Sequence, residues 1–403
     1  MDMPRPLEDL KVLDFTWVIA GPLITKALAD LGAEVVKVEH PSWPDQMRNF
    51  LPYKDGKPGV NRAGVWATMN AGKRSLAMNL RSDKGRELAI RLATWADVVV
   101  ENFTAGQMGK WGLDYEALRR HNPDLIMLSA SSMGQDGPDA RRQGFGFHFA
   151  AYAGFTHSTG WPDREPLGAI PYTDYIAPPF AVAAILGALD YRRRTGQGQS
   201  IDLSQVEAAL HFMTPAFLEY SALGVVPARN GNRSPSAAPH GAYHCKDGRW
   251  CAIAVETDAR WRAFCRAIGR PELEADPRFA SLLARKHNED HLDALVEAHT
   301  ASLNADAVTS TLLSAGVPAG VVAGGKDLLE DPQLRARDYF LEMPHAEMGM
   351  ATAHRNMALF SGLDSGPRRG APMLGQDTEY VCTRVLGLSD EEMAALIAEG
   401  VLG

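Results

Sequence analysis

Over its first two hundred residues the chain alternates short apolar runs with helical patterns joined by short links. This constrains the fold more tightly than any other feature. Residues 12–18 read as a buried strand broken by Ala20-Gly21-Pro22; a helix follows over 23–31 with Gly32 as its stop, and AEVVKV over 33–38 is the next strand. The pattern continues with a helix over 84–95, a strand over 97–100, a helix over 115–121 and a strand over 125–129. Strand, helix, strand with short connections predicts an α/β fold, a Rossmann-like parallel sheet covered on both faces. A long helix over 178–194 follows, PPFAVAAILGALDYRRR. It places proline in its first turn, where the missing N–H costs nothing, and arginine in its last, where cations are favoured. A short strand over 200–203 and the capping box Ser204-Gln205-Val206-Glu207 complete this part.

The character of the sequence changes after residue 223. Residues 227–239 (PARNGNRSPSAAP) are rich in Gly, Pro, Ser and Asn and read as a linker or binding loop. Residues 242–244 and 250–255, joined by a Lys246-Asp247-Gly248-Arg249 turn, read as a β-hairpin, and helices are expected over 259–268, 291–302 and 305–315. From 331 the tail reads as strand-poor until a helix over 390–399 capped by Ser389. At 403 residues the chain is longer than one hydrophobic core supports. We expect a large α/β domain of residues 1–222 completed by 331–403, and a smaller α+β domain of 223–330.

A formal charge of -8 argues against nucleic acid as a main partner, because phosphate binding relies on clustered cations. The basic runs Arg141-Arg142 and Arg192-Arg193-Arg194 read first as solvated helix ends. Cys245, Cys251, Cys265 and Cys382 form no CxxC pair, and no histidine cluster has ligand spacing, so no metal site is expected. Scattered thiols and a start without a basic, apolar, small-residue progression point to a cytoplasmic protein. The absence of 18 uninterrupted apolar residues points to one without a membrane span.

The first strand–helix turn invites a dinucleotide reading, with Glu39 where a ribose-binding acid would stand. Trp17-Val18-Ile19-Ala20-Gly21-Pro22 lacks the GxGxxG glycines, however, and Pro22 removes an N–H from the helix start. Ser129 to Ser132 (SASS) lacks the flanking glycines of a nucleophile elbow, and none of the twelve histidines stands in HExxH. Asp14, in Val12-Leu13-Asp14-Phe15-Thr16, is an acid inside an apolar strand and reads as a paired structural group. Asp174, in IPYTDYIAPP over 170–179, is a carboxylate among apolar and aromatic residues before a helix. It reads either as a helix cap or as a shielded nucleophile that backbone N–H groups keep ionised, and local chemistry leaves both open. Tyr172, Tyr175, Phe147 and Trp161 suit an apolar pocket or plain core equally.

Several segments together resemble the class III coenzyme A transferases, the formyl-, carnitine- and bile-acid-type enzymes with their related acyl-CoA racemases. They are VLDFTWVIAGPLITKALADLGAEVVKVE over 12–39, Lys73-Arg74-Ser75 with LAMNL, and Glu101-Asn102-Phe103 leading to Lys110 and Gly112-Leu113-Asp114-Tyr115. Asn122-Pro123-Asp124-Leu125-Ile126, the YRRRTGQGQ turn over 191–199 with Ile201-Asp202-Leu203-Ser204, the hairpin from Tyr243, and AGVPAGV over 315–321 complete the set. Their order and spacing carry the resemblance across nearly the whole chain. It implies an enzyme with Asp174 as the acylated nucleophile, acyl-CoA and a carboxylic acid as substrates, no tightly bound cofactor, and an intertwined homodimer. It also implies that Val18, Ile19 and Ala20 line the pantetheine path and that His40 approaches the adenine. Met78, Asn102, Phe103 and Lys110 would contact the nucleotide and its linker, and Arg142 or Gln143 the phosphate side. Two positions depart from family patterns. Ile19 replaces the glutamine of formyl-type enzymes, which favours a more apolar acyl group. Phe145 stands where the racemase branch has its catalytic histidine, with His148 three residues on, which favours transferase over a 2-methylacyl-CoA racemase. A non-enzymatic CoA-binding protein is disfavoured by Asp174 in its apolar setting.

Overall fold

The structure, a computed structural model, describes residues 4–168 and 170–403. Six strands form its main sheet: β1 (Lys11–Asp14), β2 (Glu34–Glu39), β3 (Arg74–Ala77), β4 (Val98–Glu101), β5 (Ile126–Ser129) and β6 (Gln199–Asp202). They run parallel in the order β3-β2-β1-β4-β5-β6, the doubly wound Rossmann order, with its topological switch between β1 and β4. Between them lie α1 (Ala20–Asp30), α2 (Gly64–Asn70), α3 (Asp83–Trp95), α4 (Gln107–Lys110), α5 (Tyr115–Leu118), α6 (Gly146–Tyr152), α7 (Phe155–Ser158) and α8 (Tyr172–Thr195). Beyond β6 come α9 (Gln205–Leu210) and α10 (Thr214–Leu223).

Successive strand residues point to opposite faces, which builds two cores from one sheet. Leu13, Val36, Val38, Leu76 and Val99 pack against Leu88 and Leu92 of α3. Val12, Val35, Val98, Ile126 and Leu128 pack against Ile24 and Leu28 of α1 and Ala181 and Ile185 of α8. In a parallel sheet the crossover helices run back against the strands. The N-termini of α1 and α8 therefore stand at the carboxyl edge, where ligands bind in this fold class.

The described residues divide into two compact units. One comprises 1–156, 168–226 and 332–403, the other 157–167 and 227–331. The second has an antiparallel sheet of β7 (His240–His244), β8 (Trp250–Ala254) and β9 (Ala319–Val321), with β8 in the middle. Its core gathers Tyr243, Ile253, Trp261, Phe264, Leu292 and Val308. The hairpin turns at Gly248, whose φ of +77° needs glycine. All four cysteines are buried and free.

Two expectations are corrected. The long helix begins at Tyr172 rather than 178, so Pro178 and Pro179 stand inside it and Asp174 lies in its first turn. A residue before proline is biased out of the helical region, which hides the true start. Burial of Thr173, Ala177 and Pro178 outweighs that bias. The tail is also not strand-poor, because β10 (Phe340–His345) and β11 (Gly349–His354) pair antiparallel. Pro344 and few β-branched residues conceal this hairpin. Met348 and Ala351 hold it against Trp66 of α2. The final helix, Asp390–Ala398, carries a full Ser389–Glu392 capping box.

Candidate active site

Strand β1 ends at Asp14 because its carboxylate takes the next backbone donors. Thr16 N–H and Oγ1 donate to Oδ1 at 2.8 and 2.6 Å, and Thr25 Oγ1 donates to Oδ2 at 2.6 Å. Lys73 Nζ donates to the same oxygen at 3.1 Å and to the Pro22 carbonyl at 3.0 Å. Burial pushes the Asp14 carboxyl up, but Lys73, Lys37 and the two hydroxyls together hold it below its ordinary value. The loop beyond is fixed residue by residue. Lys37 Nζ donates to the Thr16 carbonyl, and Asn102 clamps Trp17, accepting its N–H at 2.8 Å and donating to its carbonyl at 2.9 Å. Asp45, itself 3.3 Å from Lys37, accepts the Val18 N–H at 3.0 Å. Arg48 grips Glu39 through two bonds of 2.8 and 2.7 Å.

Val18 has φ +68°, a left-handed conformation that a β-branched residue adopts only when its surroundings enforce it. Here the enforcing groups are Asp45 and the packing of Val18 and Ile19 against the Met47, Trp66 cluster. The following residue pair, Ala20 and Gly21, opens α1. A Cβ on Gly21 would lie 2.3 Å from Thr16 Cβ and 2.9 Å from the Asn102 side chain, so this turn requires glycine.

A cavity of 430 Å³ lies off the ends of β1 to β4, on the α3 side of the sheet. His40, Met78 and Phe103 line it, as do Trp17, Trp43, Trp111 and Arg81, which the sequence reasoning missed. Their signal was legible: Trp17 and Trp43 stand just past the ends of β1 and β2. Phe103 packs edge-on to both Trp17 and Trp111, with centroids 5.9 and 5.2 Å away. Burial and the nearby Arg81 hold the His40 imidazole below its ordinary value, against a bond with Asn79. Asn102 reaches the cavity only through Trp17. Lys110 is exposed at the end of α4, Gln143 is exposed, and Arg142 is exposed with an ion pair to Asp139 at 3.3 Å.

Asp174 occupies the other side of the same edge, in the first turn of α8. It is 8% exposed, and its carboxylate lies over Gly146 at the start of α6, where a Cβ would stand 2.2 Å from Oδ2. Phe149 of α6 and Val206 and Ala209 of α9 form an apolar cluster with Ile176, two residues further along α8. Among the described residues no donor bonds to the carboxylate and no cation pairs with it, and burial raises its pKa to about 7. This corrects the expectation that backbone N–H groups hold it ionised. The side chain turns toward α6 instead of capping its own helix, and the Asp174 N–H itself donates to the Pro171 carbonyl at 3.0 Å. Of the four aromatic residues singled out, Phe147 and Tyr175 are exposed, Tyr172 stacks on Phe155 at 4.9 Å, and Trp161 lines a cavity in the second unit.

A Rossmann-type sheet thus carries a shielded acid and an aromatic cleft on one edge, and comparison with known proteins shows the class of enzyme. The family described as CoA-transferase family III matches residues 7–378, and the chain belongs to it as an enzyme of the CoA-transferase type. It is 36% identical over 400 residues to a succinyl-CoA–D-citramalate CoA-transferase of Chloroflexus aurantiacus, covering 99% of this chain and 98% of that one. It is 32% identical over 386 residues to a succinate–glutarate CoA-transferase of Agrobacterium fabrum, covering 94% and 96%. A CAIB/BAIF family protein from Brucella suis superposes with a TM-score of 0.87 at 35% identity, covering 95% of this chain and 100% of that one.

Proposed function

We propose that this enzyme moves coenzyme A from an acyl-CoA to a free carboxylic acid through covalent intermediates on Asp174. The observation that carries the proposal is a buried carboxylate with no partner, poised near neutrality on the ligand-binding edge. Ionised, Asp174 attacks the donor thioester carbonyl. The C–S bond breaks, giving a mixed anhydride and CoA thiolate. The thiolate attacks the Asp174 acyl carbon and releases the donor acid, leaving an aspartyl-CoA thioester. The acceptor carboxylate then attacks that thioester and frees the thiolate again. The thiolate finally takes the acceptor acyl group and restores the Asp174 carboxylate. The apolar surroundings exclude the water that would hydrolyse the anhydride.

The first unit is the CoA-binding domain in this reading. The nucleotide occupies the cleft at His40, Met78 and Phe103, and the pantetheine arm crosses the sheet edge over Val18, Ile19 and Ala20 to reach Asp174. Asn102 positions the turn, and Lys110, Arg142 and Gln143 meet phosphates from the rim. The relatives' names point to succinyl-CoA as donor and a short dicarboxylic acid as acceptor. A racemase reading is not favoured: Phe145 caps α6, and His148 Nδ1 is occupied by the Phe145 N–H at 3.1 Å. Helix α8 is long and apolar enough to cross a bilayer, with only 33% of its apolar window buried. Phe180 and Leu186 on it, and Phe217, Leu218 and Leu223 on α10, are exposed. We assign that surface to a second copy of the chain, an obligate homodimer in the cytoplasm. The deciding experiment incubates the enzyme with succinyl-CoA, adds hydroxylamine, and maps the product by peptide mass. A hydroxamate at Asp174 is expected, and its absence in an active enzyme refutes the mechanism.

A further inference from the structure

The aromatic cleft is walled by the ends of two neighbouring strands. Phe15 and Trp17 follow β1, Glu39 ends β2, and His40 and Trp43 follow it. The two loops meet at one carboxylate, that of Asp45, which has no exposed surface. Its Oδ1 accepts the Val18 N–H and the Met47 N–H, each at 3.0 Å. Its Oδ2 lies 3.2 Å from the same Val18 nitrogen and 3.3 Å from Lys37 Nζ. Asp45 also donates its own N–H to Glu39 Oε1 at 3.2 Å. Lys37 is fixed in turn by the Thr16 carbonyl and by the Trp66 ring, whose centroid is 5.4 Å away. Each of the three groups bonded to the Asp45 carboxylate is a donor. Two acceptor oxygens satisfy that set, whereas an amide of the same size brings one acceptor and turns an NH2 against the donors.

The bond to Val18 matters most because of where it acts. Trp17 and Val18 share one peptide unit, whose carbonyl accepts from Asn102 at 2.9 Å and whose N–H is taken by Asp45. That plane sets the Val18 φ of +68°, a conformation a β-branched residue leaves once released. We infer that Asp45 is a positioning residue for acyl-CoA binding: it fixes the Trp17–Val18 peptide, and with it the Trp17 indole in the wall of the cleft. The inference rests on the reading that this cleft takes the nucleotide end of CoA. Without the carboxylate the peptide is held at its carbonyl alone. Val18 then turns toward negative φ, and the edge-on contact of Trp17 with Phe103 loosens. Asp174, carried by α8, keeps its surroundings, so the effect falls on binding and not on turnover.

The test compares Asp45→Asn and Val18→Gly, singly and together, with the parent as full-length enzyme. It reads Kd for CoA by calorimetry, and kcat and KM with succinyl-CoA. Asp45→Asn is expected to raise Kd for CoA and KM for succinyl-CoA about tenfold, with kcat within about twofold. The double variant should weaken CoA binding by less than the product of the two single effects, because both act on one peptide. An unchanged Kd in folded Asp45→Asn overturns the proposal. So does a fall in kcat that tracks the folded fraction with Kd unmoved, or a double variant whose effect is the full product. If Asp45→Asn does not fold, Asp45→Glu carries the same comparison, since it keeps the charge that Lys37 meets and displaces the acceptor oxygens by one methylene. Phe103→Ala is titrated with CoA alongside. An unchanged Kd there defeats the reading of the cleft itself, whatever Asp45 does.

Discussion

Asp14 and Asp174 are both aspartates in apolar sequence at the carboxyl edge of one sheet, yet the structure treats them oppositely. Asp14 is fully buried but meets Lys73, Thr16 and Thr25, and its carboxyl is held below its ordinary value. Asp174 is almost as buried, its carboxylate meets no donor among the described residues, and it is raised to about 7. A buried acid with partners organises a turn. One without partners is costly to the fold, and that cost is the ground on which a catalytic role is proposed for Asp174.

Exchanging the two acids' properties is the sharpest way to break this contrast. Asp174→Asn should lower turnover by at least about 10⁴-fold with the fold intact, read from initial rates of CoA transfer. Asp14→Ala should do the reverse, destabilising the protein by about 3–5 kcal/mol because Lys73 is left buried and unpaired, measured by urea denaturation. Substituting Gly146→Ala forces the Asp174 carboxylate aside and should reduce kcat on the order of a hundredfold with little change in KM.

The pH dependence sharpens the same comparison. Asp174 is raised on folding, so between its unfolded value of 3.8 and about 7 the native state binds more protons than the unfolded one. Stability from this group is therefore full below 3.8, falls as pH rises from there to about 7, and levels off above it. Asp174→Asn removes that penalty and should stabilise the protein at pH 8 by on the order of 3 kcal/mol, with less effect near pH 4. In catalysis the sign is opposite, since the nucleophile must be ionised: the acid limb of kcat/KM should have its midpoint near 7. The smallest effect is expected at Val18→Gly. Relief of the left-handed strain offsets the added freedom of glycine, so Tm stays within a few degrees while KM for the acyl-CoA rises several-fold.

Much of this was legible from residue pattern. The apolar runs of β1, β2, β4 and β5, with the helices between them, needed only hydrophobic periodicity and turn chemistry, because both faces of a parallel sheet are covered and its strands read as apolar blocks. Asp14 was recognisable as a paired group from its neighbours alone. His40, Met78 and Phe103 line one cavity, whereas Lys110, Arg142 and Gln143 are exposed and do not line it. The hairpin over 340–354 was hidden because its pairing depends on α2, far away in the chain.

The sequence by itself determined the doubly wound sheet, the family and the candidacy of Asp174, since these follow from local periodicity and from the order of short segments. Only the tertiary structure decided which buried acid is satisfied and which is bare, and where α8 begins. The reason is physical: hydrogen-bond partners and desolvation come from residues tens or hundreds of positions apart. A carboxylate's environment is fixed by what packs against it, and its sequence neighbours alone do not record that.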